Sequence, residues 1–321
     1  MLKQTAKTIA IALFLATAIN NQAFAEKEKS SDKAKITSQK KFSYGINSSY
    51  QKSNFSFDTP AAHSILKWQE MNGYSIGTEL KYKVFDTNND YNAIKGSDAF
   101  FSYEYSKLSG SGTDDDITNA KSLAVFSVQK AKGNSHDIRV GTNLDFKEYN
   151  NITPSIRFGG FYKKLKFDMN DGKFLAADFK RGRAGLVKIS GLGQRTNSVF
   201  TGVTIGGKIS HKSEGSENVL IVDFYPAVQY TGNQHWPQRE PESQHWKLKS
   251  ATPGMGLKVA LEHHFKVSEQ NLKIFSSYES IKINKLNESG TNYSVKGGSS
   301  DSSVNGETLF NSLNMGIGLY F

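Results

Sequence analysis

The chain has 321 residues, a formal net charge of +10 and no cysteine. The lack of cysteine excludes a disulfide-stapled scaffold and any thiol chemistry. Basic and acidic residues are interspersed, and no basic helix or nucleic-acid-binding motif occurs, so we expect no nucleic-acid partner.

The amino-terminal segment has the pattern of a secretory signal peptide. Lys3 and Lys7 provide a basic start, residues 9–19 are mostly apolar, and an Ala-Phe-Ala sequence at 23–25 resembles a cleavage site. The apolar run is shorter than the roughly 20 residues that a membrane-spanning helix needs. We therefore expect residues 1–25 to be a signal peptide that exports the chain.

The next segment, 26–41, is rich in lysine and has almost no apolar residues, so it predicts a disordered leader. Residues 42–321 then alternate between apolar and polar positions and predict a single β domain. The strand candidates are 42–52, 63–85, 98–108, 121–148, 153–168, 197–211, 218–231, 255–267, 271–286 and 311–321.

Alternation with a period of two is clear in several of these segments. Apolar residues at 220, 222, 224, 228 and 230 are predicted to share one face, as are the even positions of 63–85. Leu257 and Leu261 alternate with Lys258, Glu262 and His264. The last segment places apolar residues at every odd position from 313 to Phe321. Repeated segments of about ten residues with this period are typical of outer-membrane barrels.

The sequence therefore predicts an all-β fold, a closed antiparallel transmembrane β-barrel of about ten strands in a bacterial outer membrane. Closure is required because lipid cannot satisfy an open sheet edge. With both ends periplasmic, the predicted external connections are 53–62, 109–120, 169–196, 232–254 and 287–310. Long external loops are where function commonly lies.

Two of these connections carry groups suited to acid–base chemistry. Asp114 and Asp116 lie in the second, and His235 lies in the fourth, at the same end of the barrel. Carboxylates two residues apart on an extended chain point the same way. They could hold and deprotonate a water, with the imidazole as a second proton acceptor. A solvated acidic loop and a weak calcium site remain alternatives.

Several stretches resemble the omptins, a family of ten-stranded outer-membrane endopeptidases. Order and spacing carry this resemblance, which spans nearly the whole chain after the leader. The matching stretches are 64–68 with Asn72, Ile76 and Gly77, then 137–140 through 156–161, 203–207, and 230–232.

The resemblance implies an Asp-x-Asp motif at Asp114 and Asp116 and an Asp-x-His motif ending at His235, with His245, two residues after Ser243, as the alternative. Asn233 occupies the position of the second motif's aspartate. Asparagine can orient an imidazole, but it cannot neutralise the imidazolium. Two functions follow as expectations: an endopeptidase, or a catalytically degraded relative that acts in surface binding or adhesion. A diffusion channel is the alternative, although porins with aqueous lumens usually have 16 or more strands.

The expected partners are outer-membrane lipid and an extracellular peptide, protein or host surface. No cofactor is expected; the resemblance raises lipopolysaccharide as an activator, and Lys163 and Lys166 are candidates to contact its phosphates. The tripeptide Gln-His-Trp occurs at 234–236 and again at 244–246. Two histidines could bind a metal, but no third ligand has suitable spacing, so no metal site is predicted.

Overall fold

The computed structural model describes residues 42–59, 64–87, 93–117, 123–178, 183–236, 244–292 and 298–321. The predicted signal peptide and leader lie outside these ranges. Among the described residues, no helix is long and apolar enough to cross a membrane.

The described chain forms one antiparallel sheet of eleven strands. They are β1 (Phe42–Thr59), β2 (Ser64–Asp86), β3 (Ile94–Ile117), β4 (Leu123–Phe146), β5 (Ile152–Asp178), β6 (Arg183–Ser213), β7 (Ser216–Trp236), β8 (Gln244–Ser250), β9 (Gly254–Val267), β10 (Gln270–Asn292) and β11 (Gly298–Tyr320).

The sheet closes because β11 pairs with both β10 and β1. Strands β8 and β9 both pair with β7 on one side and β10 on the other, so together they fill one position of the ring. The ring therefore has ten positions. This confirms the predicted closed, antiparallel β-barrel.

The strands extend much further than predicted at one end. β3 continues through Ile117 and β7 through Trp236, while β5 and β6 remain paired up to Asp178 and Arg183. Asp114 therefore lies in a paired strand, and its prediction as a loop residue is wrong. Small residues in these stretches favoured loops, but here they make room for packing. A Cβ at Gly112 would lie 2.6 Å from the side chain of Met169.

Two bulges change which face of a strand meets the lumen. In β2 the pairing shifts between Gln69 and Asn72, around Glu70 with φ of 49°. Leu66 and Trp68 are consequently buried, whereas Tyr74 and Ile76 are 75 % and 59 % exposed. The prediction that all even positions of 63–85 share a face is therefore wrong, because one extra residue reverses the alternation.

The second reversal lies in β7, where the pairing with β9 shifts between Tyr225 and Val228. Leu220, Val222 and Phe224 are exposed on one side of the shift, whereas Val228 is buried on the other. The predicted common face of this strand is likewise wrong. In β11, by contrast, the apolar odd positions from Leu313 to Leu319 are exposed, as is Phe321 just after the strand, which is what the alternation predicted.

The barrel divides into two halves along its axis. The half near the short connections 147–151, 214–215 and 268–269 has an exposed apolar belt. The belt includes Ile46, Ile76, Phe101, Ile156, Ile205, Val222, Leu257, Ile274 and Ile317. We call this the membrane half. The part beyond Tyr50, Tyr74 and Tyr278 is the external half, where outward positions are mostly polar.

The lumen has the opposite distribution of polarity. Charged side chains fill it inside the membrane half, whereas an apolar cluster fills it inside the external half. This lumen seal comprises Phe55, Phe57, Leu66, Trp68, Met71, Leu108, Leu165, Phe167, Met169, Phe200, Val228, Tyr230, Leu248, Ile281, Ile283, Leu286 and Phe310. Apolar groups thus face lipid in one half and the lumen in the other.

Candidate functional site

An ion-pair group crosses the lumen just below the seal. Arg139 donates hydrogen bonds to Asp137 at 2.9 Å and to Glu279 at 2.6 Å. It also donates to the hydroxyl of Tyr225 at 2.6 Å. Lys163 lies 2.6 Å from Asp137 and 2.9 Å from Glu279. Since β4 and β10 are opposite in the ring, these bonds join facing walls.

Further ion pairs lie closer to the periplasmic end. Lys273 contacts Glu79 at 3.1 Å and Glu262 at 3.3 Å, and the hydroxyl of Tyr320 donates to Glu79. On the other wall, Arg157 donates to Asp223 at 2.9 Å. The carboxylates and basic groups of these ion pairs line a polar cavity of about 370 Å³. The alternation in β9 predicted Glu262 on a charged face, but sequence alone did not show which strands the lumen would join.

Aromatic rings close the lumen at the level of the seal. Phe55 of β1 lies 6.2 Å, between ring centroids, from both Phe167 of β5 and Phe200 of β6. Phe310 of β11 lies 6.2 Å from Phe200 as well. β1 and β6 are opposite in the ring, so these contacts span the barrel. Within the described residues, this layer replaces an aqueous path with packed side chains, which weighs against the predicted alternative of a diffusion channel.

The predicted catalytic carboxylates lie on β3. Asp114 is only 6 % exposed and is paired in register with Leu66 and Ser127, both of which are buried lumen positions. Asp116 stands two residues further along β3, and its side chain is outside the described part. Asp114 therefore lies on the lumen side of the barrel wall.

The predicted imidazole lies on β7 with a different orientation. Gln234 is buried, whereas Asn233 is exposed and His235 is partly exposed. Because side chains alternate along a strand, Asn233 and His235 lie on the outer face. β4, β5 and β6 separate β3 from β7 in the ring. Asp114 and His235 are therefore not brought together. The reason is that the bulge in β7 reverses the alternation of its side chains, so that His235 lies on the outer face while Asp114 lies on the lumen side.

The outer face of β3, β4 and β5 carries a basic patch at the start of the external half. The patch consists of Lys107, Lys132, Lys164 and Lys166. One row of register partners across the three strands consists of Tyr105, His136 and Lys164. The next row consists of Lys107, Asn134 and Lys166. His136 shares a 3.0 Å hydrogen bond with the hydroxyl of Tyr103.

Lys163, by contrast, is buried in the lumen between Asp137 and Glu279, so its prediction as a lipid contact is wrong. Lys166 lies on the outer face, and the alternation of β5 separates the two lysines. Sequence reasoning missed Lys107, Lys132 and Lys164, because the patch depends on pairing between strands.

Solved structures place this architecture among known barrels. The outer membrane protease OmpT from Escherichia coli superimposes with a TM-score of 0.70 at 11 % identity, covering 88 % of this chain and 98 % of that chain. The chain is an outer-membrane β-barrel protein. Its exposed apolar belt is the surface that such a protein presents to lipid.

Two further barrels are similar at lower scores. Ail of Yersinia pestis has a TM-score of 0.24 at 10 % identity, covering 88 % of this chain and 99 % of that chain. The translocator domain of NalP from Neisseria meningitidis has a TM-score of 0.31 at 7 % identity, covering 95 % and 97 %. No protein-family model matches the chain, and no curated protein matches it by sequence.

Proposed function

We propose that this barrel is a non-conducting surface protein that binds an extracellular partner through its external half, and that it does not cleave peptides. The observation that carries the proposal is the location of Asp114 and His235 on opposite sides of the barrel wall. A binding surface does not need these groups to meet, whereas a hydrolytic site does.

Hydrolysis by an activated water requires proton acceptors within hydrogen-bond reach of that water, at about 2.6–3.2 Å. A water bound to Asp114 would lie on the lumen side of the wall, whereas a water bound to His235 would lie on its outer face. Asn233 also lacks the charge that stabilises an imidazolium. These points favour the degraded, surface-binding relative over the endopeptidase.

Anionic lipid is the partner expected at the membrane surface. The basic patch follows directly after Tyr103, Tyr105 and Tyr162 on the outer face, and interfacial aromatic residues are typical of the headgroup level. We infer that Lys164 and Lys166 contact phosphate groups of the outer leaflet, such as those of lipopolysaccharide. Such contacts would anchor the external half above the membrane while its far end meets another surface.

The competing function is an endopeptidase, because the structurally similar barrel OmpT is an outer membrane protease. Full-length protein refolded in micelles with lipopolysaccharide is incubated with an unbiased peptide library. Wild type, His235→Ala, Asp114→Ala/Asp116→Ala and Asn233→Asp are compared. We expect no cleavage by any of them. Cleavage by wild type that disappears in His235→Ala would overturn the proposal.

Binding is measured separately on a bacterial strain without surface adhesins that expresses the full chain. We expect it to adhere to cultured epithelial cells or immobilised extracellular-matrix glycoproteins more strongly than the strain without the protein. Equal adhesion of the two strains, with normal surface display of the barrel, would contradict a binding role.

A further inference from the structure

The polar cavity of the membrane half contains two charged side chains that form no ion pair within the described chain. Glu104 lies on β3 and Lys258 lies on β9, and both line the cavity. Because β3 and β9 are opposite in the ring, the carboxylate and the ammonium group lie on facing walls. Among the described residues, only Asn314 donates a hydrogen bond to the Glu104 carboxylate, at 3.4 Å, and Lys258 has no hydrogen-bond partner.

The register of β9 explains why Lys258 has no ion pair. Its directly paired neighbours are Asp223 on β7 and Glu279 on β10, so carboxylates lie on both sides of it. Asp223 already accepts a hydrogen bond from Arg157 at 2.9 Å, and Glu279 accepts one from Arg139 at 2.6 Å. Both neighbouring carboxylates are therefore compensated by other basic groups.

Glu104 is left without a cation for a related reason. Its register partners are Gly77 on β2 and Asp137 on β4, and neither carries a positive charge. The nearby Arg139 and Lys163 both contact Asp137, at 2.9 Å and 2.6 Å. A charge that is removed from bulk water without a partner costs free energy. A ligand with both a carboxylate and an ammonium group would give each side chain its missing partner.

The cavity can be reached from the periplasmic end but not from the external end. Lys212 and Glu217 line it, and they flank the short connection 214–215 at the rim of the barrel. Lys212 is exposed there. In the other direction, the ring contacts of Phe55 with Phe200 close the lumen. The cavity is thus a pocket that opens towards the periplasm.

We propose that this pocket binds a free amino acid with a basic side chain. The ligand carboxylate accepts a hydrogen bond from Lys258, and a ligand ammonium group donates to Glu104. Nine acidic residues and seven lysines or arginines are among the described residues that line the pocket. Even with Lys163 counted, negative charge is in excess, which favours a ligand of net positive charge. The volume of about 370 Å³ is in the range of ligand pockets.

The experiment titrates L-lysine into the refolded protein by calorimetry, and separately titrates cadaverine, which is lysine without the carboxylate. We expect one L-lysine per chain and weaker binding of cadaverine. Lys258→Met should weaken L-lysine binding by about tenfold or more, because a hydrogen bond between charged groups is lost. The same variant should leave cadaverine binding unchanged. Glu104→Gln should weaken the binding of both compounds.

Lys282→Met is the matched control, since Lys282 pairs with Glu307 at 3.1 Å outside the pocket, and it should bind L-lysine as wild type does. Circular dichroism verifies the fold of each variant. No binding of L-lysine by the wild type would mean that water alone fills the pocket and would overturn the proposal. Binding that neither Lys258→Met nor Glu104→Gln weakens, or equal binding of cadaverine and L-lysine, would also overturn it. These readouts are independent of adhesion and peptidase activity.

Discussion

Arg139 is the side chain on which the polar lumen depends most. It contacts Asp137, Glu279 and Tyr225, which lie on three different strands. A buried ion pair contributes little compared with a well-packed apolar substitute, but removing one member leaves the others charged and unpaired. Lys163 still contacts both carboxylates, so the cost of a substitution here comes from the guanidinium hydrogen bonds and the positive charge that Asp137 and Glu279 lose.

We predict that Arg139→Met lowers the free energy of unfolding by about 3–5 kcal/mol, because Asp137 and Glu279 lose their guanidinium partner. Urea unfolding in micelles, followed by circular dichroism, measures the change. Lys282→Met is the control, since Lys282 and Glu307 form a 3.1 Å pair that is half exposed. Its loss should cost about 1 kcal/mol or less. Equal effects of the two substitutions would contradict the bridging role of Arg139.

At the scale of the strand, the sequence predicted the barrel but not the faces of every element. β9 and β11 alternate regularly, so their lumen and lipid faces could be read from sequence. In β1, Tyr44 and Ile46 face outward and Phe55 faces inward, and the change of phase is visible in the sequence. β2 and β7 show no such change, although they make the same transition.

The reason is that two reversals cancel. In β2 the apolar face moves from the outside to the lumen at the boundary between the halves, and the bulge at Glu70 shifts the alternation at the same place. Leu66, Trp68, Tyr74 and Ile76 therefore keep one parity while facing opposite sides. The faces of Asp114 and His235 could not be predicted for the same kind of reason, because the bulges along a strand determine on which face each residue lies.

The bulge of β2 can be tested by changing its length. Deleting Glu70 should prevent folding, because either Leu66 and Trp68 or Tyr74 and Ile76 would turn to the wrong face. Glu70→Gly keeps the extra residue and relieves its positive φ, at an entropic cost of similar size. We expect it to change stability by less than about 1 kcal/mol.

Refolding yield and strand content by circular dichroism compare the two variants. Glu70 also lies 3.8 Å from Lys52, but both side chains are exposed and this pair contributes little. A deletion variant that refolds as well as wild type would show that the bulge does not set the faces of β2.

At the scale of the whole molecule, the two halves are surrounded by different solvents, and their apolar side chains face opposite ways. Lipid surrounds the membrane half, so its apolar groups face outward and its charges pair across the lumen. Water surrounds the external half, so its apolar groups pack inward as they do in a soluble core. The seal is the structural consequence of extending the barrel above the membrane. We expect the seal to determine whether the barrel conducts ions.

We predict that the wild-type barrel gives no steady ion conductance in planar lipid bilayers, because the aromatic contacts across the lumen exclude water. Phe55→Ala/Phe200→Ala removes two rings from facing walls and should produce channel openings. Phe224→Ala is the matched control, since Phe224 is exposed in the apolar belt and its loss leaves the seal intact. Circular dichroism confirms that each variant has folded. A steady wild-type conductance equal to that of the double variant would mean that the seal is not a barrier and would favour a diffusion channel. Openings confined to the double variant would instead locate the barrier at the level of Phe55 and Phe200, above the charged lumen.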